Sequence, residues 1–278
     1  MEFWRTEHWL EYLLNSKIGT VYIDRSFYLG NKFVPLIQDG SELYSPGFDD
    51  DKEILQRVKE IALDNGIKRI QVDSQIKSYL NISGYTCIVD PFNIKPSKGH
   101  KSAIKTGQKH LEYEIVTRLS EFNHFMLDYY EIAGKQTRPK RTFLLLYFWA
   151  KDEYGALLKA TYQDKTAGYA YILHYQGEAY YFMGGIFEQY KQYNVSHYLQ
   201  SVAFESLRNK GIKTYELGDQ VYDSLMYQPS EKERHISEFK RHFGGEIMIK
   251  AKSELFFCKN YFEEIMNQRI QAYKERIL

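Results

Sequence analysis

Apolar and polar positions along this chain change their spacing from segment to segment, and the changes mark out its elements. Residues 7–15 read as a helix, followed by strands near 18–24 and 31–38. A second helix runs from Asp51 to Asn65. Asp49, Asp50 and Asp51 open it with groups suited to a helix N-terminus, and Asn65-Gly66 closes it. IKRIQVD then alternates as a strand does, and YTCIVD near 85–90 reads as another. The second half opens on a basic amphipathic helix, SKGHKSAIKTGQKHL, with a strand near 112–117 after it. Two helices fill 120–135 and 139–152, and the apolar run RTFLLLYFWAKD predicts that the second is buried. Three strands follow: ALLKATYQ, TAGYAYILHYQ and EAYYFMGGIF. The last two meet at Gln176-Gly177-Glu178, a hairpin signal. Then come a helix over 194–210, the strand IKTYELG, a short helix over 231–242, the strand EIMIKA and a last helix.

Composition narrows the class. With 278 residues, 44% apolar and 26% charged, the chain suits one large globular domain or two modest ones. Its 25 Tyr and 17 Phe can build a core or line a polar cleft. A net charge of +1 provides no global field for nucleic acid, though local basic patches remain. Cys87 and Cys258 lie far apart without metal-ligand spacing, which argues against a disulfide framework or a zinc site. Two cysteines agree with a reducing, cytoplasmic setting. The start, MEFWRTEHWLEYLLN, carries Glu2, Arg5, Glu7 and Glu11, unlike a signal peptide. No run approaches the roughly 18 apolar residues of a membrane span. Two of the six prolines fall between Asp90 and Gly99, the best boundary, which predicts modules over 1–97 and 98–278.

Two stretches echo each other. SLRNKGIKTYELGD and RVKEIALDNGIKRIQVDS both read helix, Gly-Ile-Lys turn, strand, Asp. They fit two related halves, although any helix–Gly–strand unit shares that outline. Three segments then carry a resemblance: KGHKSAIKTGQKHLEYEIV, AFESLRNKGIKTYELGDQ and ISEFKRHFGGE. In order and spacing, across residues 98–250, they resemble the Fem-type branch of the GNAT superfamily. That branch includes peptidoglycan-bridge aminoacyltransferases and sugar N-acyltransferases of bacterial surface-polysaccharide pathways. The resemblance implies an α/β mixed-sheet GNAT fold, with two tandem modules of which the first is degenerate. It also implies an acyl thioester or aminoacyl donor and an amine acceptor.

In GNAT enzymes the donor's pantetheine lies along a splayed strand, and its pyrophosphate meets the loop into the central helix. Here the strand EAYYFMGG supplies Met183, Gly184 and Gly185, and the loop supplies Tyr190, Lys191, Gln192, Asn194, Val195 and Ser196. N–H groups at a helix N-terminus attract phosphate. Asn194 or Ser196 can cap that helix, and an ordinary capped helix fits the same residues. The loop departs from the Gly- and Arg-rich pattern, with Lys191 its one cation.

Attack by an amine needs a base. Asp219, where the chain leaves its strand after Gly218, is the first candidate and Glu216 the second; His174 and His197 are alternatives. Tyr222 or Tyr227 can protonate a leaving thiolate. Lys240 and Arg241 can neutralise an acceptor's phosphates or simply suit a helix C-terminus. Lys101 and Lys105, in the basic helix, are acceptor or donor contacts or a solvated face. No GxxxxGK[ST], HExxH or GxSxG motif is present, and the scattered histidines suggest no metal site.

The expectation is a sugar N-acyltransferase using acyl-coenzyme A and a nucleotide-linked amino sugar. The chain is short for a bridge-forming enzyme and shows no long helical hairpin insertion. An aminoacyl-tRNA donor stays open as the alternative, as does a non-catalytic module on the same scaffold. Exposed tyrosines can serve a homodimer.

Overall fold

The computed structural model describes residues 2–16, 26–29, 32–48, 50–222 and 229–277. The strand expected at 18–24, Tyr227 and Asp49 lie outside them. Two compact units interleave along the chain. One comprises residues 86–218 and 238–247; the other comprises 2–85, 219–237 and 248–278.

The first unit is built on a meander. Strands β7 (Glu112–Val116), β8 (Gly155–Tyr162), β9 (Lys165–Tyr175) and β10 (Glu178–Ile186) pair antiparallel in sequence. Helix α6 (Val195–Asn209) then leads to β11 (Thr214–Gln220), which pairs parallel with β10. The helix ends where Gly211, at φ 72, turns the chain. Beside β11 runs the second half of β6 (Leu80–Val89).

Alternation along β9 divides the helices between the two faces. Ala170 and Ile172 join the core under α6, with Leu199, Ala203 and Phe204. Tyr169 and Tyr171 point the other way. Their hydroxyls donate to Asp128 on α4 (Leu119–Ala133) at 2.6 Å and to the Leu146 carbonyl on α5 (Lys140–Lys151) at 2.8 Å. Thr142, Phe143, Leu145, Leu146 and Trp149 of α5 are buried, as the apolar run predicted. The basic helix forms as α3 (Lys98–His110), capped by Ser97, and packs on α6. A Cβ on Gly107 would stand 2.6 Å from Tyr198 Cβ, so the two helices cross backbone to side chain.

The second unit orders its strands β3 (Ile37–Asp39), β4 (Glu42–Ser45), β5 (Arg69–Val72), β12 (Glu246–Phe256) and the first half of β6. Helix α1 (Glu7–Ser16) forms where the sequence placed it. The single strand expected over 31–38 is two. Lys32–Pro35 is β2, paired with β1 (Ser26–Leu29), and Ile37 starts β3. Pro35 has no N–H with which to continue a ladder. Helix α2 (Lys52–Asp64) is capped by Asp51, whose carboxylate accepts from the Glu53 and Ile54 N–H groups. Its Ile54, Val58, Ile61 and Ala62 pack on Leu43, Ile70 and Val72. The opposite sheet face holds an ionic cluster. Buried Glu254 accepts from Arg269 of α8 (Lys259–Ile277) at 2.8 and 2.9 Å, from Arg69 at 3.2 Å and from Gln71 at 3.1 Å. Helix α7 (Glu231–Arg241) contributes to both units.

Candidate active site

Strands β10 and β11 pair at only three positions: Glu178 with Thr214, Ala179 with Tyr215 and Tyr180 with Glu216. Beyond Tyr180 and Glu216 they part. β10 continues against β9 alone, with a register shift between Tyr181 and Met183. The result is a fork in the sheet, and Glu216 sits at its vertex.

The vertex is polar and enclosed. Glu216 is buried, and the Thr86 hydroxyl on β6 donates to its Oε1 at 2.8 Å. Two residues on, Gly218 takes φ 92, a conformation that L side chains rarely adopt. A Cβ built there would lie 3.1 Å from the Lys240 Nζ and 3.2 Å from the Tyr180 hydroxyl. An ammonium and a phenol therefore converge on the backbone beside the buried carboxylate. Such a set can take a proton and steady developing negative charge.

Along the open arm lie Met183, Gly184 and Gly185. Bare of side chain, Gly185 lets α4 approach: a Cβ there would stand 3.2 Å from Ile132 and 3.6 Å from Tyr129. The turn between α4 and α5 reaches the same arm. Arg138 donates to the Met183 sulfur at 3.5 Å and lies over the Phe182 ring at 5.4 Å. The Tyr130 hydroxyl donates to the Arg138 carbonyl, which holds that turn. Burial pushes the Tyr181 phenol up to about 12, so it stays protonated.

At the far end of the arm the chain makes a 3-10 turn, Glu188–Tyr193, before α6. Tyr193 stacks on Tyr162 at 4.2 Å, and Tyr190 packs beside it at 5.9 Å. Lys191 and Gln192 are exposed, and Lys191 pairs with Glu188 at 2.5 Å. Asn194 adopts φ 56 and makes no side-chain capping bond. Val195 is buried and Ser196 half-buried in the first turn of α6. The α6 N-terminus is thus shaped by backbone, not by the side-chain cap the sequence allowed.

The remaining candidates divide. His174 is buried near the other end of α6, and it lines a cavity of about 10 Å³ with Ser206 and Leu207. Six residues of strand, about 20 Å, separate it from Gly168 beneath the α6 N-terminus. Burial, with Lys210 near, pulls its imidazole down to about 4. His197 is likewise pulled to about 4 by burial and by His100, whose ring lies 4.4 Å away. Lys101 and Lys105 are exposed one turn apart on α3. Arg241 ends α7 beside Lys240; the carbonyl of Lys240 accepts from the Cys87 thiol at 3.7 Å. Gly244 and Gly245 make a turn: a Cβ on Gly244 would meet the Lys95 carbonyl at 2.5 Å.

Asp219 and Tyr222 belong to the second unit. Asp219 is exposed and pairs with Lys250 at 3.6 Å; Tyr222 packs edge-on against Tyr85 at 5.4 Å. Glu216, the second candidate by sequence, is thus the enclosed carboxylate of the pair. Thr86, Tyr180 and Arg138 stand in no motif of the sequence. Each reaches the fork through pairing between distant segments, for which the sequence carries no local signal. Among the described residues no group of His, Cys, Asp and Glu is placed to hold a metal ion.

Residues 101–229 match the family model of the acetyltransferase (GNAT) domain. No curated protein matches the chain. Among solved structures, L-PGS from Bacillus licheniformis superposes with a TM-score of 0.66 at 12% identity, over 96% of this chain and 97% of that one. FemX gives 0.64 at 14% identity, over 94% of each chain. The C-terminal domain of a putative lysylphosphatidylglycerol synthetase from Agrobacterium fabrum gives 0.63 at 12%, over 91% and 87%. The fold is therefore an α/β mixed-sheet fold of GNAT type, as the sequence led us to expect.

Proposed function

We propose that the chain is an N-acyltransferase moving an acyl group from acyl-coenzyme A to the amine of a nucleotide-linked amino sugar. One observation carries the reading: the β10–β11 fork, with buried Glu216 at its vertex and the uncapped N-terminus of α6 beyond its open arm. In this reading the donor's thioester arm lies along Met183–Gly185, and its phosphates meet the first N–H groups of α6. Glu216 takes the proton of the attacking amine. Lys240 and the Tyr180 hydroxyl offset negative charge as the carbonyl turns tetrahedral and the thiolate leaves. Arg241 supplies a cation for the acceptor's phosphates.

A second reading uses an aminoacyl-tRNA donor, and two observations favour it. The turn before α6 has no glycine, and its lysine is engaged by Glu188, which weakens it as a pyrophosphate cradle. The chain also superposes over nearly its whole length on FemX and on L-PGS. The chemistry at Glu216 is the same in both readings, since an amine attacks an activated carbonyl in each.

The test is turnover. Purified protein is given acetyl-coenzyme A with a panel of amino-sugar nucleotides, and in parallel labelled aminoacyl-tRNA with amine acceptors. Thiol release that depends on an amino sugar supports the first reading. Transfer from tRNA alone replaces it with the second. No transfer in either arm makes the chain a non-catalytic module on this scaffold.

A further inference from the structure

A polar side chain stands inside the apolar core under α6. Gln200, on the second turn of that helix, is 1% exposed. The Tyr215 hydroxyl donates to its Oε1 at 3.0 Å, and the same side chain hydrogen-bonds the Tyr181 phenol. Tyr215 is fully buried on β11, and Tyr181 packs against the same core from β10. One amide thus ties together the three elements of the site: the arm of the fork, its other strand and the helix beyond.

Tyr181 stands where the arm leaves its register. The pairing of β10 with β9 shifts between Tyr181 and Met183, just beyond the last β10–β11 pair, Tyr180 with Glu216. Its side chain runs forward along the arm. A Cβ on Gly184 would collide with the Tyr181 hydroxyl and stand 2.9 Å from the Tyr169 carbonyl oxygen, so the phenol lies against the backbone of the arm. Two apolar rings and a leucine would fill this core as well as two phenols and an amide do. What the polar groups add is direction: hydrogen bonds fix the Tyr181 ring at one angle, where apolar contact tolerates several. The base is held separately. Side chains alternate along β11, so Tyr215 faces α6 while Glu216 faces away and accepts from Thr86.

We propose that Tyr181, Gln200 and Tyr215 are positioning residues: they form a strut that holds the open arm of β10 at a set distance from β11 and so shapes the seat of the donor. Loss of the strut loosens the arm at Met183–Gly185 and leaves Glu216 in place. The link from strut to donor rests on the acyl-transfer reading; the link from strut to arm does not.

The test compares the wild-type chain with Y181F/Q200L/Y215F, which removes the polar atoms of the strut together and so leaves none of them buried without a partner. Melting stays near the wild-type value; if the triple variant does not fold, Tyr181→Phe alone gives the same test at smaller amplitude. Hydrogen exchange is measured first, with no donor present. The N–H groups of residues 183–186 exchange roughly 10-fold faster in the variant, while those of β8 keep their rates. Binding is then titrated with acetyl-coenzyme A and, in parallel, with aminoacyl-tRNA. The variant holds the probe that the wild type binds roughly 10-fold more weakly, and its KM rises to match while kcat stays within about twofold. Wild-type exchange along the arm overturns the strut. Faster exchange with unchanged binding overturns its role at the donor's seat, as does a fall in kcat with KM unchanged. Binding of neither probe by the wild type defeats the acyl-transfer reading instead, and the exchange rates then decide the strut alone.

Discussion

Glu216→Gln isolates the proton-taking step from everything else at the fork. The amide has the volume of the carboxylate, and its oxygen can still accept from the Thr86 hydroxyl, now 2.8 Å from Oε1. Burial at the vertex is unchanged. The hydrogen bond becomes neutral, which weakens it by about 1 kcal/mol, so the fold survives with a small loss. What disappears is the base. General-base assistance contributes about 10²- to 10⁴-fold, so kcat falls by roughly 100- to 1,000-fold while KM stays near its original value. Thr86→Val gives the graded companion: a charge-assisted bond of about 1.5 kcal/mol is lost, and kcat drops roughly 10-fold. Both are read by steady-state turnover with whichever donor the parallel assay identifies. Wild-type kcat in E216Q, or a rise in KM alone, would refute Glu216 as the base.

Other expectations concern the frame. Arg269→Met removes two bonds to buried Glu254 and costs roughly 3 kcal/mol, read as a lower urea midpoint. The arginines hold the Glu254 carboxyl below the usual carboxylate range despite its burial, so this stabilisation is present above about pH 4.5 and fades on further acidification. His174 and His197 are held neutral at about 4 in the folded chain, against about 6.5 unfolded. The unfolded state therefore takes up protons first, and stability falls as pH drops from about 6.5 toward 4; His174→Leu makes the melting temperature fall less steeply over that window. Gly107→Ala improves helix propensity by about 1 kcal/mol, yet it forces α3 off Tyr198 and destabilises by about 1–3 kcal/mol in chemical denaturation.

Much of the first unit is readable in the sequence because its elements bury one face each. The β8–β9–β10 meander, α5 and α6 follow directly from apolar spacing and from Gly177 and Gly211. The second unit hides more. β4 is four residues long and half polar, and the early part of β6 is largely exposed, so neither shows a pattern. The apolar pattern of β12 stops at residue 251 because its buried end holds Ser253 and Glu254, polar residues satisfied by partners 15 to 185 positions away. The candidate site shows the same limit. The residue types at the fork were legible, but not their order of burial. Asp219 follows a glycine at a strand end, as a catalytic group often does, yet Glu216 is enclosed because β6 lays Thr86 against it across 130 positions.

The central claim is that the β10–β11 fork seats an activated acyl donor beside Glu216. A calorimetric titration of the purified chain with acetyl-coenzyme A, repeated on Gly185→Val, tests it most directly. That substitution adds bulk where the fork's open arm meets α4. The account predicts saturable binding at one donor per chain, weakened at least tenfold in the variant. Equal binding by both proteins would place the donor elsewhere and contradict the account; no binding by either would remove coenzyme A as donor and leave the aminoacyl-tRNA reading to carry the fork.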